Sequence, residues 1–147
     1  MPILSQVKGD LVTMTKDGMF DVLIHGCNAQ CHMGAGIALT VKNTWPSAYE
    51  ADLKTKVNDI HKLGHYSSAL ITEDDRKYYI VNLYTQQYTG YHEDTMVPVD
   101  YTAIYRGFYR LNKKLGKHKP LNIGIPSLIG CGLAGGDQEV VRRLINL

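Results

Sequence analysis

Two glycine-rich stretches constrain this chain more than any other feature: Met33-Gly34-Ala35-Gly36-Ile37-Ala38 and Gly130-Cys131-Gly132-Leu133-Ala134-Gly135-Gly136-Asp137. Each follows an apolar run with strand character and opens a run with helical periodicity. Glycine lacks a Cβ and tolerates positive φ, so consecutive backbone N–H groups in such a loop converge on an anion. The N-terminus of the following helix adds partial positive charge. Two such loops in one chain point to a diphosphate held from both sides. Taken singly, each also reads as a tight strand-to-helix turn.

Short β-rich runs alternate with longer helical ones, which predicts an α/β fold. A strand is expected over 3–12, closing at Asp10, and a buried one over 20–26. Helical periodicity begins at 35 and lasts to 43, and Pro46 suits the first turn of a second helix reaching Val57. The runs 67–72 and 78–84 flank Glu73-Asp74-Asp75-Arg76, which predicts an antiparallel hairpin and hence a mixed sheet. Residues 86–97 follow neither period and read as a functional loop. Ile104, Phe108, Leu111 and Leu115 recur on one helical face before Gly116. A strand over 121–129 then feeds the second glycine loop. A last helix over 137–147 turns Val140, Val141, Leu144 and Ile145 inward.

A chain of 147 residues that is 44% apolar has the size of one domain with one core, spanning 1–147. The formal charge is +2, and Lys and Arg are scattered apart from the stretch 113–119, so no dedicated nucleic-acid surface is expected. No apolar run approaches the roughly 20 residues of a membrane span, and no basic segment followed by an apolar run opens the chain. The expectation is a cytoplasmic monomer, in the host cytoplasm if the protein is viral. Cys27, Cys31 and Cys131 are an odd number of cysteines, which suits free thiols in a reducing compartment. His25, Cys27, Cys31 and His32 lie within eight residues, but not at the spacing of paired zinc ligands. Neither a metal nor a cofactor is expected.

Val7-Lys8-Gly9-Asp10-Leu11, Gly26-Cys27-Asn28-Ala29, the two glycine stretches and Ile125-Pro126 occur in the order and at the spacing found in macro domains. The chain resembles the small stand-alone branch that includes ADP-ribose 1″-phosphate phosphatases and the terminal ADP-ribose protein glycohydrolase. The resemblance covers nearly the whole chain. It implies a three-layer α/β/α fold with a central mixed sheet, and ADP-ribose bound in a cleft at the strand ends.

The resemblance also implies roles for individual residues. Asp10, with Leu11 beside it, matches the position that accepts from the adenine amino group; a carboxylate fixed by a following turn suits that task, and would equally suit a turn or cap. Asn28 matches an asparagine at the distal ribose, where its amide both donates and accepts; its other reading is an Asn satisfying a turn. Met33, Gly34, Ala35, Gly36, Ile37 and Ala38 would approach the distal ribose and one phosphate. Ser127, Leu128, Ile129, Gly130, Cys131, Gly132, Leu133 and Ala134 would wrap the diphosphate, with Ile129 and Leu133 reading equally as core. Tyr84, Tyr88 and Tyr91 are candidates to stack on a sugar or base.

The chain departs from the glycohydrolase pattern at two places. Ala134 stands where an aspartate follows Gly-Cys-Gly-Leu. Gln86 and Gln87 follow Val81-Asn82-Leu83-Tyr84-Thr85 where that branch carries the lysine that attacks the ribose. The expectation therefore shifts to removal of phosphate from ADP-ribose 1″-phosphate, with His32 giving or taking a proton and Asp137 orienting water or His32. Asp137 also suits the N-cap of the last helix, and His32 a solvated loop. The alternatives are a non-catalytic ADP-ribose-binding module, or de-ADP-ribosylation by a route without the family lysine.

Overall fold

The sheet is organised around a strand covered on both faces. β1 (Val22–Asn28) is buried continuously from Val22 to His25 and again at Cys27, the pattern of a parallel strand between two helical layers. The computed structural model describes residues 3, 5–88, 99–117, 120–127, 129 and 138–146. Within them, β2 (Tyr66–Glu73) and β3 (Arg76–Gln86) form the expected antiparallel hairpin, closing at Glu73 opposite Arg76. Its two-residue turn has Asp74 at φ 46° and Asp75 at φ 63°, the pair of positive values that matches the twist of the flanking strands. β4 (Ile123–Gly124) completes a mixed sheet of order β2-β3-β1-β4, with β1 parallel to both β3 and β4.

Among the described residues five helices cover this sheet: α1 (Leu11–Lys16), α2 (Gly36–Thr44), α3 (Pro46–Leu53), α4 (Tyr101–Leu115) and α5 (Gln138–Asn146). Alternate residues of each strand point to opposite faces and sort the core into two. Leu23, Tyr78 and Ile80 pack with Val12, Val41, Trp45 and Ala48. Val22, Ile24, Val81 and Leu83 pack with Ile104, Phe108, Leu111, Val141 and Ile145. The result is the three-layer α/β/α arrangement expected. Pro46 opens α3, and the Asp100 carboxylate caps α4 by accepting from Ala103 N at 3.0 Å.

Four local expectations are corrected. The opening strand does not form among the described residues: Gly9 has φ 154°, Asp10 caps α1, and the chain turns helical at Leu11. A short apolar run does not by itself distinguish strand from helix. α3 ends at Leu53, leaving Val57 exposed beyond it. The strand expected over 121–129 is reduced to two residues, and Val140 lies on the outer side of α5.

Connectivity places the site. β1 leads into α2 and α3 on one face, whereas its neighbours β3 and β4 lead into α4 and α5 on the other. At such a reversal the connections part and leave a crevice outside the carboxyl ends of the strands. Among the described residues no helix is long and apolar enough to cross a membrane.

Candidate functional site

Gly26 marks where the crevice walls meet. A Cβ there would lie 3.0 Å from Thr85 Oγ1 and 3.4 Å from Ile129 Cγ1, so the ends of β1 and β3 and the segment after β4 converge on it. The Thr85 hydroxyl is buried and, among the described residues, has no hydrogen-bond partner. A buried polar group is normally paired, so this one stands out as a donor or acceptor held in reserve at the crevice. Nothing in the sequence singles it out, because its isolation depends on Gly26 and Ile129, both distant along the chain.

The first glycine loop leaves β1 through a latched turn. A register shift falls between Cys27 and Asn28. Beyond it the Asn28 Oδ1 accepts from Gln30 N at 3.1 Å and His32 N at 3.2 Å, while Nδ2 donates to His32 O at 2.7 Å. Asn28 therefore does satisfy its turn. Both acceptor sites are occupied and one N–H is left, so Asn28 retains the capacity to donate to a ligand but not to accept from one.

Past this turn the loop is open. A Cβ on Gly34 or Gly36 would meet nothing within 4 Å, and Gly36 has φ 58° where it begins α2. Ala35 precedes the helix without a side-chain cap. Among the described residues the first N–H groups of α2 thus lack a side-chain partner, which is the arrangement that receives an anion.

The neighbouring residues divide by burial. The Met33 side chain lies in the core, with Ile37 and Ala38 packed at its edge, so contacts from Met33 to a ligand in the crevice run through its backbone. Leu11 packs at the margin of the same core, and Ile129 is buried in the other. Ser127 is exposed. His32 is exposed next to the turn that Asn28 holds. Asp10 Oδ1 accepts from Thr13 N at 2.9 Å, so the capping role is realised, and among the described residues Oδ2 has no hydrogen-bond partner. Leu128, Gly130, Cys131, Gly132, Leu133, Ala134, Asp137 and Tyr91 lie outside the described residues. Tyr84 is corrected: it is fully buried and cannot stack on a ligand. Gln86 turns its amide to Tyr88 O at 3.0 Å, so no amine stands at this strand end.

Behind the crevice His25 is wholly buried, with Nε2 2.7 Å from Asn82 Oδ1. The Asn82 nitrogen donates to Ala48 O at 2.9 Å and Ser67 Oγ at 3.0 Å, which turns its carbonyl oxygen to the ring and assigns the ring hydrogen to Nε2. Burial lowers the His25 pKa from 6.5 to about 4, outweighing the Asn82 hydrogen bond. Since the unfolded chain binds the proton at higher pH than the folded one, this histidine's contribution to stability is complete above pH 6.5. It is lost as pH falls to about 4, a change worth about 3 kcal/mol. Asp52 acts in the opposite sense, because burial raises its carboxyl pKa and stability declines as pH rises above 3.8. A site-resolved NMR titration separates the two: the His25 imidazole is expected to stay neutral until about pH 4. Titration near pH 6.5 would contradict the burial. Burial also raises the Cys27 thiol pKa, which keeps it protonated and a poor nucleophile. Among the described residues no group of three His, Cys, Asp or Glu is placed to hold a metal ion.

A mixed sheet of order β2-β3-β1-β4 between two helical layers, with a glycine-rich segment leaving the carboxyl end of β1, defines the macrodomain fold. The chain superposes on the macrodomain of Mycobacterium tuberculosis DarG with a TM-score of 0.71 at 20% identity, over 97% of this chain and 87% of that one. It superposes on Thermosipho africanus DarTG in complex with ADP-ribose with a TM-score of 0.60 at 22% identity, over 87% of this chain and 34% of that one. In sequence it is 31% identical over 147 residues to an uncharacterized 17.5 kDa protein in the tk-vs intergenic region of Enterobacteria phage T4, covering 98% of this chain and 88% of that protein. The chain belongs to the same family as this phage protein. No protein-family model matches it.

Proposed function

We propose that the protein binds ADP-ribose in this crevice and removes the terminal phosphate of ADP-ribose 1″-phosphate. The observation that carries the binding reading is the open segment 34–36, uncapped at the start of α2 and lying where the connections of β1 and its neighbours part. The Asn28 N–H that remains would donate to a ribose hydroxyl, and Asp10 Oδ2 would accept from the adenine amino group. Residues 127–134 would close over the diphosphate from the side of β4.

In the phosphatase reading, a water oxygen attacks phosphorus and the bond from phosphorus to the ribose oxygen breaks. His32 gives a proton to the departing ribose oxygen and regains one from the attacking water, which Asp137 orients and whose other proton stays on the released phosphate. Loop N–H groups stabilise the charge that develops on the phosphoryl oxygens. The covalent lysine route finds no support: Gln86 is not a nucleophile, and the ammonium of Lys62 is buried against three acceptors.

Calorimetric titration with ADP-ribose, AMP and ATP tests the binding reading, and preference for ADP-ribose is the expected result. Equal affinity for all three would overturn it. Phosphate release from ADP-ribose 1″-phosphate tests the catalytic reading, with turnover expected to fall in both His32→Ala and Asp137→Ala while binding persists. Tight binding without phosphate release would leave a binding module.

A further inference from the structure

Beneath the turn that carries Asn28 lies a buried polar cluster that ligand binding, as described, does not use. Lys62 closes the 3-10 turn Ile60–Lys62 and is 8% exposed. Its ammonium donates to Ala29 O at 2.9 Å, to Thr55 Oγ1 at 2.8 Å and to Cys31 Sγ at 3.5 Å, and it stands 4.6 Å from the centre of the Tyr84 ring. All three of its hydrogens are engaged. Asp52, 1% exposed, accepts from the Tyr84 hydroxyl at 2.8 Å, and its backbone carbonyl accepts from the Cys31 thiol at 3.2 Å. The two buried charges are thus linked through one tyrosine.

Burying an ammonium costs more than burying an apolar side chain of the same length, so a lysine here is poorly explained as core filling. Its contacts indicate a different task. Two of its three acceptors belong to the turn itself, and that turn holds Cys31 at φ 58°, a conformation unfavourable for a residue with a Cβ. Asn28 latches the turn from within, through Gln30 and His32. Lys62 holds it from below, alongside the Asn58 N–H that donates to the same Ala29 carbonyl at 2.6 Å.

We propose that Lys62 is the positioning residue of the ligand loop, its buried ammonium fixing Ala29 and Cys31 so that the turn bearing Asn28 keeps one shape at the crevice. The identity of the ligand rests on the ADP-ribose reading above, whereas the fixing of the turn does not.

Lys62→Met keeps the length of the side chain and removes its three donors. In the intact chain, hydrogen exchange at the amides of 29–33 is expected to quicken by about tenfold or more, the scale of losing a hydrogen bond to a charged group, while β1 and β3 keep their protection. The ADP-ribose Kd is expected to rise by a similar factor. Lys62→Arg, which keeps the cation and its donors, should recover part of both. Thr55→Val leaves the lysine in place and removes its shortest contact, so it should move both readouts the same way by about threefold, and it remains informative if Lys62→Met does not fold. A fall in melting temperature with exchange at 29–33 and Kd both unchanged would show a purely structural lysine and overturn the proposal. If the unsubstituted protein does not bind ADP-ribose, the binding reading fails, and the exchange measurement alone decides the role of Lys62.

Discussion

Gly34→Val is expected to lower ADP-ribose affinity by about 100-fold, equivalent to about 2.7 kcal/mol, while leaving the fold intact. A Cβ at Gly34 meets nothing within 4 Å, and the backbone there does not require a positive φ. An exposed substitution of this kind changes stability by about 0.5 kcal/mol or less. The isopropyl group would instead occupy the space over the loop where a phosphate must approach the N–H groups of 34–36. Calorimetric titration beside a thermal melt checks both halves. Unchanged affinity would show that the ligand does not use this loop. Gly36→Val makes a useful companion, because its φ of 58° adds backbone strain of about 1–3 kcal/mol to the same obstruction. The difference between the two variants separates the cost of conformation from the cost of blocking the site.

Gly107→Val is expected to destabilise the protein by about 3 kcal/mol, the upper end of the usual overpacking range. On an exposed helix a glycine is about 1 kcal/mol worse than alanine, so replacing it would ordinarily help. Gly107 is different because it lies in α4 directly against Leu83 of β3, where an added Cβ would overlap Leu83 Cδ1. Leu83 is wholly buried among Val22, Ile24, Val81 and Phe108, so room for it to move is limited. Packing therefore outweighs helix propensity. Urea unfolding should show a midpoint lower by about 1 M or more. An increase in stability would mean that the contact between α4 and β3 is looser than the distances indicate.

Several elements were legible because their signals are local. The hairpin follows from two β-rich runs around Asp74-Asp75, and both residues adopt the positive φ that such a turn requires. Pro46 opens α3, and the buried face of α4 is carried by Ile104, Phe108 and Leu111 at helical spacing. The opening segment departs from the expected strand because Gly9 and Asp10 mark the boundary of a helix as readily as the end of a strand. At the site, the candidacy of Asn28 was legible, but its remaining capacity was not. That capacity depends on where Gln30 and His32 place their backbone groups. Tyr84 has the sequence context of a loop-end aromatic, yet Asp52, Ser67 and Lys62 converge on it from elsewhere and bury it.

An α/β chain with a mixed sheet and two glycine-rich stretches is legible along the sequence, since periodicity, turn chemistry and the missing Cβ of glycine act over a few residues. How the first of those stretches is presented follows from the tertiary packing. It joined Gly26, Thr85 and Ile129 at one crevice, left segment 34–36 open, and placed the ammonium of Lys62 beneath Ala29 and Cys31. These outcomes depend on which distant groups share a space and compete for the same hydrogen bonds, a relation that no local pattern encodes.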